Sequence, residues 1–269
     1  MAVPQLDTTK RHPLGCTTTY RMHDYLLGGK HNYAADRAAA EAALKVWPDM
    51  AFTAQANRGF LGRAVRFLAG EAGIRQFLDI GTGIPTAGNT HEVAQAITPE
   101  SKVVYVDYDP VVLAHARALL TSNDAGATEY IHADLRNADS ILAQAAQLLD
   151  FTKPVAVTML AILHALPDSD DPYAIVARLM DAVPLGSYLA ISHAGSDRLD
   201  QESQQSIGDS WNGRVQQQFT LRTREQVAEF FAGTDLVEPG VVPVEDWRPE
   251  PGTTGEGRST VWCAVGRKR

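Results

Sequence analysis

The chain has 269 residues, 45% of them hydrophobic and 21% charged, with a net charge of −8 at pH 7. This is the composition of a globular protein, long enough for one large α/β domain or two small ones. The acidic balance argues against binding a phosphate backbone generally, so nucleic acid is not an expected partner.

Residues 1–14 are polar, carry two prolines and read as a loose arm with no apolar leader. The cysteines, Cys16 and Cys263, sit in no metal-ligand spacing. They fit a reducing cytoplasm better than a disulfide scaffold, and no metal is expected. Residues 23–70 place apolar side chains three and four apart, which predicts helices, broken at Trp47-Pro48-Asp49. The rhythm then changes. Short apolar strands are predicted over 76–80, 102–106, 128–132, 154–160 and 186–192. Helices are predicted between them, near 92–97, 110–120, 140–149 and 172–183. The run 155–163 is the most apolar and is far shorter than the roughly 20 residues of a membrane span. Helices over 197–215 and 223–231 precede two closing strands, 236–247 and 260–266. Alternating strands and helices imply βαβ units and a mostly parallel sheet. The expected fold is therefore α/β and Rossmann-like: seven strands, an antiparallel hairpin at the C-terminal edge and a helical N-terminal extension. Residues 1–70 form the extension and 71–269 the nucleotide-binding unit.

The first strand runs into a glycine-rich loop, FLDIGTGIPTAG (77–88). A P-loop would need Gly-Lys-Ser/Thr at its end, which is missing. The dinucleotide fingerprint G-x-G-x-x-G is met at Gly81 and Gly83, but Thr86 replaces its third glycine. Three aspartates then point to S-adenosylmethionine. Asp79 precedes the glycines, where a carboxylate would repel a pyrophosphate but suits the ammonium of a methionine moiety. Asp107 ends the second strand, where a carboxylate can accept from ribose hydroxyls. Asp134 follows the third strand, where an acceptor can take an adenine amino group. One such Asp alone reads as a cap or turn residue; three at successive carboxyl edges read as a ligand site.

These segments resemble a known family, the actinobacterial S-adenosylmethionine-dependent methyltransferases once grouped as a domain of unknown function. The resemblance covers nearly the whole chain and is most specific in YRMHDYLLGGKHNYAADR (20–37). FLDIGTGIPT, HEVAQ, VVYVDYDPVVLAHARALL, ADLR, LAILHALPD and GSYLAISHA carry it further. His23 departs from it, standing where the family signature often has an aromatic, and Pro85 replaces the third glycine of the usual methyltransferase loop. The resemblance implies a class I methyltransferase sheet, with Asp79, Gly81 and Gly83 around the methionine moiety, Asp107 at the ribose and Asp134 near the adenine. Thr82, Tyr108, Leu135 and Leu160 complete the expected cofactor set. It names no acceptor.

The N-terminal block is expected to act as a lid that lines the acceptor pocket through Asp24, Tyr25, Asn32 and Tyr33, around a Gly28-Gly29 turn. The bland alternative is a pair of helices whose Tyr and Asp residues cap ends and cover the core. If the acceptor must lose a proton, a base is needed. His164, in LAILHAL, is the first candidate, His193, in AISHA, the second and Asp24 the third; both histidines also read as structural residues after apolar runs. Trp211 reads first as a core or interface anchor and second as part of the acceptor wall. The expected activity is methyl transfer to an oxygen or nitrogen of a small molecule. Alternatives are a non-catalytic binder of S-adenosylmethionine and an NAD-dependent oxidoreductase. A homodimer is compatible with the sequence but not demanded by it.

Overall fold

Five consecutive buried residues, Gln76–Ile80, form β1 near the middle of the sheet. The computed structural model describes residues 19–83, 88–110, 112–114, 122, 124–199, 219–250, 252 and 258–269. The other strands are β2 (Lys102–Asp107), β3 (Ala127–His132), β4 (Ala156–Leu160), β5 (Tyr188–Ala194), β6 (Thr234–Leu236), β7 (Val242–Pro243) and β8 (Val261–Lys268). They lie in the order β3-β2-β1-β4-β5-β8-β6, with β7 also paired to β8. Neighbours from β3 to β5 are parallel. β8 runs antiparallel to β5, β6 and β7. Among the described residues the sheet thus has eight strands, not seven. The expected strand 236–247 is split because Pro239 has no N–H to donate. Gly240 then turns back at φ +83°, its N–H bonding the Val237 carbonyl.

The fully described helices are α1 (Thr19–Leu26), α2 (Ala34–Val46), α3 (Met50–Arg66), α4 (Thr90–Ile97), α5 (Ala138–Ala145), α6 (Pro172–Asp181) and α7 (Arg224–Glu229). α3 runs into a π turn at Phe67–Glu71. The expected break at Trp47-Pro48-Asp49 separates α2 from α3. Glu92 caps α4 by accepting from the N–H groups of Gly88 and Asn89. Of the helix expected over 110–120, residues 110 and 112–114 are described and helical. Residues 197–199 form a turn and bend; Trp211, Pro85, Thr86, Cys16 and the arm 1–14 lie outside the described residues. No helix among the described residues is long and apolar enough to cross a membrane.

Strand alternation sorts the core onto two faces. Leu78, Ile80, Val104, Val157 and Ile191 pack on one face with α5, α6 and α7. Phe77, Val103, Tyr105, Ala156 and Ala190 pack on the other with α3 and α4. The C-terminal half of α3 (Phe60, Ala64, Val65) lies in that second cluster, while its N-terminal half (Met50, Ala54) packs with Met22, Leu26, Ala40 and Trp47. α3 therefore ties the N-terminal helices to the sheet. Arg63 adds a polar tie: its guanidinium donates to the carbonyls of Trp247 (2.8 Å) and Val244. Trp247 is fully buried, edge-on to Phe60. Arg63→Met keeps the stem and removes two charge-assisted bonds, so urea unfolding should show a loss of roughly 3 kcal/mol. A loss below about 1 kcal/mol would mean these bonds do not anchor α3.

Candidate active site

The crossovers change direction between β1 and β4, and open α/β sheets bind ligands at the carboxyl ends of strands beside such a reversal. A cavity of about 220 Å³ opens there, walled on one side by the β1 loop, Asp107 and Leu160, and on the other by α1 and α3. A second hollow of about 610 Å³ continues along the ends of β2 and β3 and contains Asp134 and Leu135. The two share Gly81, Asp107, Tyr108, Ile162 and Ala165.

Asp79 points to the same face as Phe77 and is 6% exposed. Thr158, its register partner on β4, donates to one carboxylate oxygen at 2.9 Å. Thr90, the first residue of α4, donates to the other at 2.6 Å. Burial raises the pKa of Asp79, and the two hydroxyls and the charge of Arg58 pull it back. Gly81 leaves β1 at φ +81°, and a Cβ there would stand 2.6 Å from Ile162. Only glycine meets both demands. Gly83 also has positive φ, and its N–H donates to Asp107 Oδ2 at 3.0 Å. The Asp109 N–H donates to Oδ1 at 2.9 Å. Burial raises the Asp107 pKa against those two bonds. Each oxygen keeps lone-pair capacity for further donors. The Thr82 hydroxyl approaches the Asp79 and Val106 carbonyls at 3.4 Å. Tyr108 is 45% exposed beside Asp107. The Asp134 carboxylate pairs with Arg136, which also bonds Asp170. All nine residues expected to hold the cofactor thus line these two hollows. The glycine cradle, the ordered Asp107 carboxylate and the Asp79–Arg58 charges suit a zwitterionic amino acid end joined to a nucleoside.

The opposite wall is helical. Met50, Thr53, Ala54, Asn57, Arg58 and Leu61 of α3 face the cavity. Their spacing marks one helix face. From α1 come His23, Asp24 and Leu26, and from the turn after β4 comes His164. His164 is 8% exposed and lies 4.4 Å from the Phe219 ring. Burial drives its pKa well below 6.5, so the ring is neutral near pH 7.

Four expected site residues need correction. His193 does not line the cavity. Strand parity turns it to the face of Leu189 and Ile191, while its neighbour Ala194 reaches the cavity. Its Nε2 accepts from Arg222 at 2.8 Å, so Nδ1 carries the hydrogen and donates to the Ala194 carbonyl. Both ring nitrogens are occupied and no base remains. Asn32 and Tyr33 stay outside too. Asn32 and the His31 N–H donate to Asp24 Oδ2, closing the Gly28-Gly29 turn. Tyr33 is 52% exposed. Tyr25 donates to Glu41 at the surface. Of the four residues expected to line the acceptor pocket, Asp24 alone does. A Cβ on Gly29 would strike its carboxylate, which explains the second glycine.

Sequence reasoning missed His23, Trp47, Asn57, Arg58 and Phe219 in the cavity wall, and Arg222 behind it. The legible signal was polar residues on the apolar stripe of α3. Arg222 is 1% exposed and donates to the carbonyls of Leu163 and Leu166, to Asp168 and to His193. It braces the segment that carries His164.

Buried neutral histidines make an acid-sensitive fold. Burial lowers the pKa of His23 to about 4 and of His193 to about 3, from 6.5. Between those values the unfolded chain binds protons that the folded chain does not. Stability should therefore fall as pH drops below 6.5. From pH 7 to pH 5 the loss measured by urea unfolding should be about 2 kcal/mol smaller in His193→Gln. The raised pKa values of Asp79 and Asp107 act in the opposite sense and are the same in both proteins. Equal slopes would show that His193 titrates normally.

A family model described as S-adenosyl methyltransferase matches residues 2–269. No curated protein is matched by this chain. A solved structure of a DUF574 family protein from Streptomyces avermitilis is 44% identical, with TM-score 0.90 over 94% of this chain and 98% of that one. A Thermobifida fusca protein assigned to the methyltransferases is 40% identical, with TM-score 0.85 over 96% and 97%. Human N-acetylserotonin methyltransferase, solved with S-adenosylmethionine, shares the fold at 14% identity and TM-score 0.50, over 95% of this chain and 63% of that one. The chain belongs to the S-adenosyl methyltransferase family and is an S-adenosylmethionine-dependent methyltransferase.

Proposed function

We propose that the enzyme methylates an oxygen or nitrogen atom of a small molecule held between the α1–α3 layer and the sheet. The observation that carries this reading is a single cavity running from Asp79, Gly81 and Asp107 to His164 and the inner face of α3. Bound S-adenosylmethionine supplies an electrophilic methyl group on a sulfonium that is already a good leaving group. Asp107 would accept from its ribose hydroxyls, and Asp134 would receive its adenine amino group. Asp79 would face the ammonium, and Arg58 the carboxylate, of its amino acid end.

With the leaving group prepared, the chain's main contribution is positioning. The rigid turn at Gly81 and the face of α3 set the distance between the two reactants, and the helices exclude water. His164 takes the acceptor's proton, and the acceptor atom keeps the electron pair that forms the new bond. A weakly basic ring cannot strip the acceptor beforehand, so the proton leaves as the bond forms.

Calorimetric titration should give micromolar binding of S-adenosylmethionine. Asp107→Ala should weaken it roughly 100-fold, the worth of a charge-assisted bond pair near 3 kcal/mol. Unchanged affinity would remove Asp107 from the ribose site. His164→Gln should bind the cofactor normally and lose on the order of 10²- to 10⁴-fold in turnover with an acceptor found by screening. Full turnover in that variant would exclude His164 as the base.

A further inference from the structure

Hydrogen-bonding capacity in this cavity is unevenly spent. On the sheet side the polar groups hold partners: Asp79 with Thr90 and Thr158, Asp107 with Gly83 and Asp109, Asn89 with Arg58 and Glu92. Among the described residues, four buried polar atoms around it have none: Asp24 Oδ1, Trp47 Nε1 and Asn57 Oδ1 on the helical side, and His164 Nδ1 on the turn after β4. All four residues line the same cavity. Buried polar atoms are nearly always paired, so an unpaired set gathered around one hollow marks where a ligand bonds.

Resting on the small-molecule reading above, we propose that the acceptor is an uncharged, largely apolar molecule donating hydrogen bonds at two or more positions, recognised by Asp24, Trp47 and Asn57. The types of the free atoms define it. Asp24 Oδ1 and Asn57 Oδ1 accept only, so they call for hydroxyl or amino donors. The Trp47 indole N–H donates only, so it calls for an acceptor atom. Leu26, Met50, Ala54 and Phe219 between them call for an apolar body. An anion would meet the Asp24 carboxylate. The cation in the wall, Arg58, is drawn to Asp79 and bonded to Asn89. A cation would be stripped of water against apolar side chains for one free carboxylate oxygen.

The test uses the full chain saturated with S-adenosylhomocysteine and four probes of one shape: naphthalene-2,3-diol, its dimethyl ether, 2-naphthoate and 2-(aminomethyl)naphthalene. The diol should bind at least about tenfold more tightly than each of the others. Trp47→Phe and Asn57→Leu should each weaken the diol roughly tenfold and leave S-adenosylhomocysteine affinity at the wild-type value, which also reports folding. Equal binding of diol and ether, tighter binding of either charged probe, no binding of any probe, or unchanged diol affinity in both variants would overturn the inference. Failure of the wild-type chain to bind S-adenosylhomocysteine would remove the cofactor reading itself. Normal cofactor binding without the donor preference would remove this inference alone.

Discussion

The buried carboxylate of Asp79 is the constraint on which the site depends. A carboxylate taken out of water is tolerated only where bonds replace its hydration. Here Thr158 comes from β4 and Thr90 from the start of α4. The charge of Arg58 comes from α3. One side chain thereby fixes the spacing of two strands, the entry of one helix and the face of another. The glycine turn that follows it is held between the Val106 carbonyl and Ile162.

The N-terminal helices belong to the site as much as the sheet does. α3 shares its length between the sheet-side core and the cluster around Trp47, and presents one continuous face to the cavity. Asp24 sits between the turn and the cavity: one oxygen closes the Gly28-Gly29 turn, and the other lies against Gly29 with no hydrogen-bond partner. Across the cavity Arg222 braces the segment after β4. It lies under the aromatic rings of Tyr173 and Phe230 and is closed outside by Asp168. Two tightly held layers leave a gap between them, and the chemistry is assigned to that gap.

Protonation follows from the same packing. His23, His164 and His193 are kept neutral by burial, yet their environments differ. His193 is locked in one tautomer between Arg222 and a carbonyl. His164 sits on a short turn with its Nδ1 unpartnered. Similar burial yields a structural ring in one case and an available one in the other. The difference is which face of the sheet each reaches.

The sequence by itself determined the parallel core, the β1 glycine loop and the three aspartates at successive strand ends. Each rests on local signals: apolar runs, positive-φ turns and a carboxylate at a strand terminus. It also showed the helical period of α3, because one face must be apolar to pack. Only the tertiary structure decided what depends on contacts distant in the chain. The split of 236–247 required β8 as the template that pairs both pieces. The exclusion of His193 required the parity of β5 against its neighbours. Asn57 and Arg58 stood out only as polar residues on the apolar stripe of α3, and they and Trp47 before it were tied to the site only when α3 was laid against strand ends lying tens to more than a hundred residues further along the chain. No pattern on one helix records what that helix will face.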